Sequence, residues 1–207
     1  MRLYGDPISG NVYKVQLLCA LLGRDYELDP VEIWTGVKTA DFTRINPNQR
    51  VPAIDDDGFV LWESNAILCY LADGTPWLSD DRRLRALVLQ WLFFEQYSHE
   101  PYLAVRRALL YWRPPSPERD ALVAAKLEGC LHALRVMDGH LAKHDWFVGD
   151  GPTVADLALY PFTSVAGEGE LDMAPYPHVA RWLRRVEALP GFSAMPPYPQ
   201  PGPYATT

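Results

Sequence analysis

The stretch from Asn46 to Ala72 constrains the fold of this chain more than any other. It reads Asn-Pro-Asn-Gln-Arg-Val-Pro, then two short apolar runs around Asp-Asp-Gly, then Trp-Glu-Ser and an apolar helical segment. Pro52 interrupts a strand-like run, where proline can donate no ladder hydrogen bond, so we expect a cis Val51-Pro52 bond in a tight turn. Such a turn leaves the amide of Val51 free to meet an extended ligand.

Glu63 and Ser64 stand directly before a helix predicted over 65–72. Free amides and a hydroxyl at a helix N-terminus bind a carboxylate, and an adjacent Glu accepts an ammonium group. Alone, each motif is also typical of an ordinary turn or helix cap. Together they predict a site for the head of an α-amino acid.

The sequence pattern of residues 1–74 predicts a small mixed sheet with helices on its faces. The alternation of apolar residues predicts strands at 2–4, 26–31, 53–55 and 59–61, and helices at 11–22, 36–44 and 65–72. The first two strands need a crossover connection. The last two need only the turn Asp56-Asp57-Gly58, because glycine accepts the positive φ of a hairpin.

Strand patterns stop after Ala72, and a linker over 73–79 leads into sequence that is helical or proline-rich. Helices are predicted at 80–111, with an interruption at a proline, and at 118–141. Thr153 and Asp156 form a capping box before another apolar helix, so we interpret Asp156 as structural. The proline-rich segment 196–203 is predicted to cover the surface in ordered or fraying form.

Charge and hydropathy exclude several classes of protein. The 19 basic and 26 acidic residues give a net charge of −7, which disfavours a general nucleic-acid or anionic-membrane surface. No apolar run reaches the roughly 18 residues of a membrane span, and the chain enters a strand without a signal-peptide core. We therefore expect a cytoplasmic protein with no nucleic-acid or membrane partner.

The three cysteines, Cys19, Cys69 and Cys130, are an odd number, far apart, with neither a Cys-x-x-Cys pair nor a histidine at metal-ligand spacing. We expect no metal, and we interpret Cys19 and Cys69, which lie in apolar helical runs, as buried structural thiols. Thiol chemistry would then need a thiol supplied by a ligand.

With these motifs in this order, the chain resembles the cytosolic glutathione transferases over nearly its whole length. The resemblance implies an α/β, thioredoxin-like domain at 1–74, an all-helical domain at 80–207, glutathione as co-substrate and a homodimer. By position it also implies that Val51 pairs with the backbone of the glutathione cysteine. Glu63 and Ser64 would hold the γ-glutamyl group.

The resemblance places the chemistry in the loop before the first helix, where Ser9 and Asn11 are the candidate catalytic residues. A glutathione thiol with a reference pKa of roughly 8.5 needs hydrogen-bond donors and a helix dipole to become a thiolate. Ser9-Gly10-Asn11 resembles both the catalytic serine of theta-like and delta-like transferases and the Thr/Asn pair of Nu-like bacterial ones. The principal donor stays open, and an ordinary helix cap is the alternative. Tyr4, the counterpart of a catalytic tyrosine in other classes, is interpreted as a packing residue.

The glycine carboxylate of glutathione needs a cation or amide donors. Lys38, Gln49 and Arg50 stand where the family keeps such residues, although a Lys or Arg on a loop is often only solvated. They complete the predicted glutathione-binding set.

A pocket for a small-molecule electrophile is expected at the loop before the first helix, including Ile8, and on a helix that carries Tyr102 and Arg106. These two residues are four apart and share a helix face, offering an aromatic wall and a cation. The alternative for both is helix packing or a dimer contact.

Conjugation of the glutathione thiolate to small electrophiles is the predicted activity. Glutathione-dependent reduction of disulfides or peroxides is the first alternative. A glutathione-fold binding protein with little turnover is the second.

Overall fold

A four-stranded mixed sheet forms the centre of the N-terminal half. The computed structural model describes residues 1–199, and its strands are β1 (Arg2–Gly5), β2 (Glu27–Pro30), β3 (Ala53–Asp56) and β4 (Phe59–Trp62). Their order is β2-β1-β3-β4, with β1 parallel to β2 and antiparallel to β3, and β3 antiparallel to β4. All four strands lie where the alternation of apolar residues predicts them.

The hairpin between β3 and β4 shows how local sequence sets the register. Asp57 and Gly58 both have positive φ, at 54° and 92°. The amide of Gly58 donates to the carboxylate of Asp55 at 2.7 Å. This turn pairs Asp56 with Phe59 and so directs Ile54 into the core.

Helices cover the sheet at positions that their capping residues define. They are α1 (Gly10–Leu22), α2 (Ala40–Ile45) and α3 (Ser64–Ala72). Gly23 ends α1 in the left-handed conformation, at φ 62°. The single weak helix expected over 36–44 is instead a 3-10 turn, Gly36–Lys38, followed by α2, because Thr39 adopts an extended conformation and caps α2.

The C-terminal half is helical from Arg82 onward. Its helices are α4 (Arg82–Phe94), α5 (Glu100–Trp112), α6 (Pro117–Leu141), α7 (Val154–Ser164) and α8 (Pro177–Glu187), with a 3-10 turn at Ala166–Gly169. A π-helical turn, Glu95–His99, joins α4 to α5 just before Pro101, where the interruption was predicted, and Pro101 itself lies in the first turn of α5. The π-helical turn directs Glu95 and His99 into the interior and leaves Tyr97 83% exposed.

Asp156 holds the helical half together, as its capping box predicts. Its carboxylate accepts from the backbone amides of Thr153 at 2.8 Å and Phe147 at 3.2 Å, and from the indole of Trp182 at 2.9 Å. Burial raises the pKa of Asp156 to about 6, and these donors oppose the rise. The residue is structural and lies away from the cleft.

The two halves pack directly on each other. Helix α1 contacts both α3 and α7, and one apolar core runs from Leu3 to Trp182 through this contact. Within residues 1–199, no helix has the length and apolar character needed to cross a membrane.

The C-terminal segment, residues 192–199, returns across both halves. The hydroxyl of Tyr13 donates to the carbonyl of Ser193 at 2.6 Å, and that of Tyr111 donates to the carbonyl of Pro199. Tyr198 is buried against Trp112, with ring centroids 5.6 Å apart. The first part of the expected proline-rich cover is therefore ordered, and its remainder, 200–203, lies outside the described residues.

Candidate active site

A cleft of about 390 Å³ opens where the loop before β3, the start of α3 and the inner side of α5 meet. Its walls combine side chains from the sheet domain with others from the helical domain. They include Asn11, Asn48, Arg50, Val51, Glu63, Ser64, Glu100 and Val105. Most of the residues predicted to bind glutathione therefore come together in one cavity.

The loop before β3 presents Val51 to this cleft. The Val51–Pro52 peptide bond is cis, which confirms the expectation from sequence. Buried Asn46 holds the loop, because its side-chain amide donates to the carbonyl of Arg50 at 2.6 Å and its oxygen accepts from the amide of Asn48 at 2.9 Å. The backbone of Val51 is thus set at the edge of the cavity.

Glu63 and Ser64 turn sharply into α3. Glu63 has φ 75°, an uncommon value for a residue with a side chain, and strain of this kind is frequent at binding sites. Its carboxylate accepts from the side chain of Asn48 at 3.3 Å. Ser64 is the first residue of α3, one position earlier than predicted, so its hydroxyl and the free amides of the first turn face the same cavity.

The two candidate thiolate donors have different environments. The hydroxyl of Ser9 accepts from the amide of Val12 at 3.4 Å as the N-cap of α1, and Ser9 is not among the described residues that line the cleft. Asn11 does line the cleft, and its oxygen accepts from the hydroxyl of Ser64 at 3.3 Å. The side-chain amide of Asn11 is the donor that the cavity exposes.

A buried ion pair beneath the cleft was not predicted from the sequence. Lys14 and Glu95 are both 0% exposed in their side chains and 2.8 Å apart. Lys14 also lies 3.4 Å from the hydroxyl oxygen of Ser64, with which it shares a hydrogen bond. The signal in the sequence is a single cation in an otherwise apolar helix, where neighbours such as Val15 and Leu18 are fully buried.

Two further titratable groups border this pair. Burial raises the pKa of Glu100, while the positive charge of Lys14 and hydrogen bonding to Asn11 oppose the rise. Burial lowers the pKa of His99 to about 3, and the charge of Lys14 contributes in the same direction. His99 is therefore neutral at physiological pH, with its Nε2 2.8 Å from the hydroxyl of Thr163.

Of the residues predicted to bind the glycine carboxylate of glutathione, some line the cleft and others do not. Arg50 lines the cleft, and no ion pair engages it within residues 1–199. Gln49, at φ 55°, is exposed and outside the cavity lining, and Lys38 is exposed on its 3-10 turn. Asn48, which the sequence analysis did not single out, lies inside the cleft where Gln49 was expected.

The interpretation of Tyr102 and Arg106 as pocket walls is corrected. Arg106 is buried, and its guanidinium donates to the carbonyls of Gly169 at 2.6 Å and Val123 at 2.7 Å. The ring of Tyr102 packs on α6, where a Cβ added to Gly129 would lie 2.0 Å from it. Both residues therefore join α5 to its neighbours, which is the packing alternative.

An apolar cavity of about 510 Å³ lies beside the polar cleft and shares Val105 with it. Its lining comes from the other side of α5 and from the loop after β2. It consists of Trp34, Val105, Ala108, Leu109, Trp112 and Arg113. Ile8 is absent from the described lining of both cavities.

The cysteine thiols take no part in the cleft. Burial raises the pKa of Cys19 and of Cys130 to about 11, and burial also raises the pKa of Cys69. All three are free, and Cys69 lines a separate groove between α3 and α4. Within residues 1–199, no cluster of side chains with metal-ligand character was found.

Known proteins match both halves of the chain. The glutathione S-transferase N-terminal domain matches residues 1–73 and the glutathione S-transferase C-terminal domain matches residues 90–190. The chain therefore belongs to the cytosolic glutathione S-transferase family.

Particular relatives agree in length and fold. Glutathione S-transferase 3 of Zea mays is 34% identical and the match covers 97% of this chain and 96% of that protein. Disulfide-bond oxidoreductase YfcG of Escherichia coli K12 is 32% identical, and the match covers 91% of this chain and 90% of that protein. The crystal structure of a glutathione S-transferase from Pseudomonas fluorescens Pf-5 is 43% identical with a TM-score of 0.91, covering 94% of this chain and 98% of that one.

Proposed function

We propose that this protein conjugates glutathione to small electrophiles. One observation carries the proposal: the polar cleft at the start of α3 opens beside an apolar cavity, and the two share Val105. A tripeptide with two carboxylates suits the first cavity, and an apolar electrophile suits the second.

Glutathione is assigned to the cleft in an extended pose. The backbone of Val51 pairs with the cysteine residue, and the backbone amides at the start of α3, including that of Ser64, bind the γ-glutamyl carboxylate. Glu63 accepts the ammonium group. Arg50 is the cation inside the cleft and is assigned to the glycine carboxylate, while Lys38 and Gln49 remain at the rim.

We assign thiolate stabilisation to Asn11 rather than Ser9. The side chain of Asn11 lines the cleft, whereas Ser9 is not among the described residues that line it. The N-terminus of α1 adds the positive end of its dipole. The thiolate then attacks the electrophile, a bond forms from sulfur to carbon, and the leaving group departs with its electron pair.

The aromatic walls of the second cavity favour flat electrophiles. Trp34 and Trp112 meet edge to face at 6.0 Å between ring centroids, and Arg113 lies at the rim. An activated aryl halide is the matching probe.

Steady-state turnover of an activated aryl halide and of a small disulfide, both at saturating glutathione, tests the proposal. Faster conjugation than disulfide reduction is expected. Reduction is the second candidate, favoured by the donor Asn11 in the cleft and by the similarity to an oxidoreductase of Escherichia coli. Binding of glutathione without turnover of either substrate would instead favour a non-catalytic binding protein.

We also propose that the protein is a homodimer. The groove between α3 and α4 is lined by apolar side chains, and Phe93 beside it is 70% exposed. Light scattering after gel filtration should give twice the 23.4 kDa of one chain. A monomer at micromolar concentration would contradict this assignment. Glutathione as co-substrate and three free cysteines support a reducing, cytoplasmic location.

A further inference from the structure

The ion pair beneath the cleft contains more charge than the fold requires. Lys14 and Glu95 are fully buried. The cost of removing two charges from water offsets most of the free energy that their attraction contributes. An apolar pair of similar volume is often as stable. The pair therefore points to a role in arranging the groups above it.

Each hydrogen of the Lys14 ammonium group has a partner. Its nitrogen lies 2.8 Å from the carboxylate of Glu95, 3.4 Å from the hydroxyl of Ser64 and 3.5 Å from the side-chain oxygen of Asn65. Glu95 is held equally firmly, because its second oxygen accepts from the amide of Asn65 at 2.9 Å. The ammonium group is thus fixed in position under the first turn of α3.

The contact with Lys14 determines where the hydroxyl proton of Ser64 points. An ammonium group only donates, so the oxygen of Ser64 accepts from Lys14 and its own proton must go elsewhere. It goes to the oxygen of Asn11 at 3.3 Å. The side-chain amide of Asn11 then faces the cavity, where one of its two hydrogens is shared with the carboxyl of Glu100 and the other is left for a ligand.

The π-helical turn makes this arrangement possible. One residue more than in an α-helical turn separates its hydrogen-bonded groups, and the turn directs both Glu95 and His99 inward. Glu95 thereby reaches α1, whereas Gln96 and Tyr97 are exposed.

We propose that Lys14, with Glu95 as its counter-ion, is a positioning residue: through the hydroxyl of Ser64 it fixes the side chain of Asn11, so that the Asn11 amide faces glutathione. This inference rests on the proposed function. Lys14 itself touches no ligand, because it is 0% exposed below Ser64. Its effect passes through the two residues that do.

The test removes both charges together, so that neither is left buried alone. The variant Lys14→Met, Glu95→Leu should fold, bind glutathione about tenfold more weakly and raise the pKa of the bound thiol by about one unit. Calorimetry gives the affinity, and the ultraviolet absorbance of the thiolate against pH gives the pKa. The matched control is Arg107→Met, Glu168→Leu, because that largely buried pair lies outside the described lining of both cavities.

Unchanged affinity and thiol pKa in the double variant would overturn the positioning role and leave the pair as structural. The variant Lys14→Met, Glu95→Gln keeps the shape of Glu95 and repeats the test if the first variant fails to fold. A crystal structure of the wild-type protein with glutathione gives an independent readout. Lys14 more than about 3.5 Å from the hydroxyl of Ser64 in that complex would also overturn the inference. Absence of glutathione binding by the wild-type protein would instead reject the proposed function itself.

Discussion

The two cavities beside α5 are built in opposite ways. The polar cleft has a layer of hydrogen bonds and buried charge beneath it, in which Lys14, Glu95 and Asn65 hold Ser64 from below. The apolar cavity is walled by Trp34 and Trp112, which make few directional contacts, and it is open to solvent at Arg113. Directional support suits one invariant ligand, whereas broad aromatic surface tolerates ligands of many shapes. Changes below the cleft should therefore impair every reaction, and changes around the apolar cavity should alter the choice among electrophiles.

The largest effect is expected from Asn11→Ala. Loss of the donor that faces the thiolate should lower kcat/KM by about a hundredfold and raise the pKa of bound glutathione thiol by one to two units, roughly. Stopped-flow titration of thiolate absorbance measures the pKa directly.

Ser9→Ala is the matched control for Asn11→Ala. It removes a helix cap, so it should cost about 1 kcal/mol of unfolding free energy and leave the thiol pKa in place. A raised thiol pKa in Ser9→Ala, with a normal value in Asn11→Ala, would reverse our assignment of the donor.

Ser64→Ala should weaken glutathione binding by about 1 to 3 kcal/mol, because the buried ammonium of Lys14 and the side chain of Asn11 both lose a hydrogen-bond partner below the site. The loss of glutathione-binding free energy should be the same whichever electrophile is used. Calorimetry on the binary complex provides the measurement. An affinity equal to that of the wild-type protein would show that the Ser64 hydroxyl does not support glutathione binding.

Buried charge below the cleft should also make stability depend on pH through His99. Burial lowers the pKa of His99 to about 3 in the folded protein from its ordinary 6.5, so between these values the unfolded chain binds the proton and the folded protein does not. The free energy of unfolding should therefore fall by about 1.4 kcal/mol for each pH unit below 6.5.

Urea unfolding at pH 7.5 and 5.5 checks the contribution of His99, with His99→Asn as the reference that does not titrate at this position. Asp156, whose folded pKa is raised, acts in the opposite direction but is common to both proteins. An equal pH dependence in both would show that His99 is protonated in the folded state.

The smallest effects are expected from Trp112→Leu. Turnover of flat aromatic electrophiles should fall by severalfold, on the order of 1 kcal/mol for a lost aromatic contact, while the affinity for glutathione stays unchanged. Comparing kcat/KM for an aryl halide with that for a small aliphatic electrophile separates the two. Equal losses for both substrates would contradict the division of labour between the cavities.

Short-range sequence patterns predicted the parts of the fold that depend on residues close together in the chain. The hairpin at Gly58, the helix stop at Gly23 and the capping box at Asp156 each follow from a residue and its near neighbours in the chain. The cis bond before Pro52 and the helix start at Ser64 belong to the same class. These features carry most of the predicted glutathione-binding set into one cavity.

The sequence did not predict the features that depend on distant contacts. Lys14 and Glu95 are 81 positions apart, so their pairing leaves no local pattern. Tyr102 and Arg106 were assigned to the pocket because they are four apart, and they do share a face of α5, but that face packs on α6 and on the 3-10 turn at Ala166–Gly169. The face of α5 that lines the apolar cavity carries Val105 and Trp112, and which face meets which neighbour depends on contacts distant in the chain.

The returning C-terminal segment links substrate choice to the end of the chain. Tyr198 packs on Trp112 and on the guanidinium of Arg107, 3.5 Å from its ring centroid, so residues near the terminus support one wall of the apolar cavity from behind. The described residues of this segment do not line the polar cleft, although the hydroxyl of Tyr13 on α1 also donates to the carbonyl of Ser193. Substitutions in residues 192–199 are therefore expected to alter the apolar cavity more than the polar cleft.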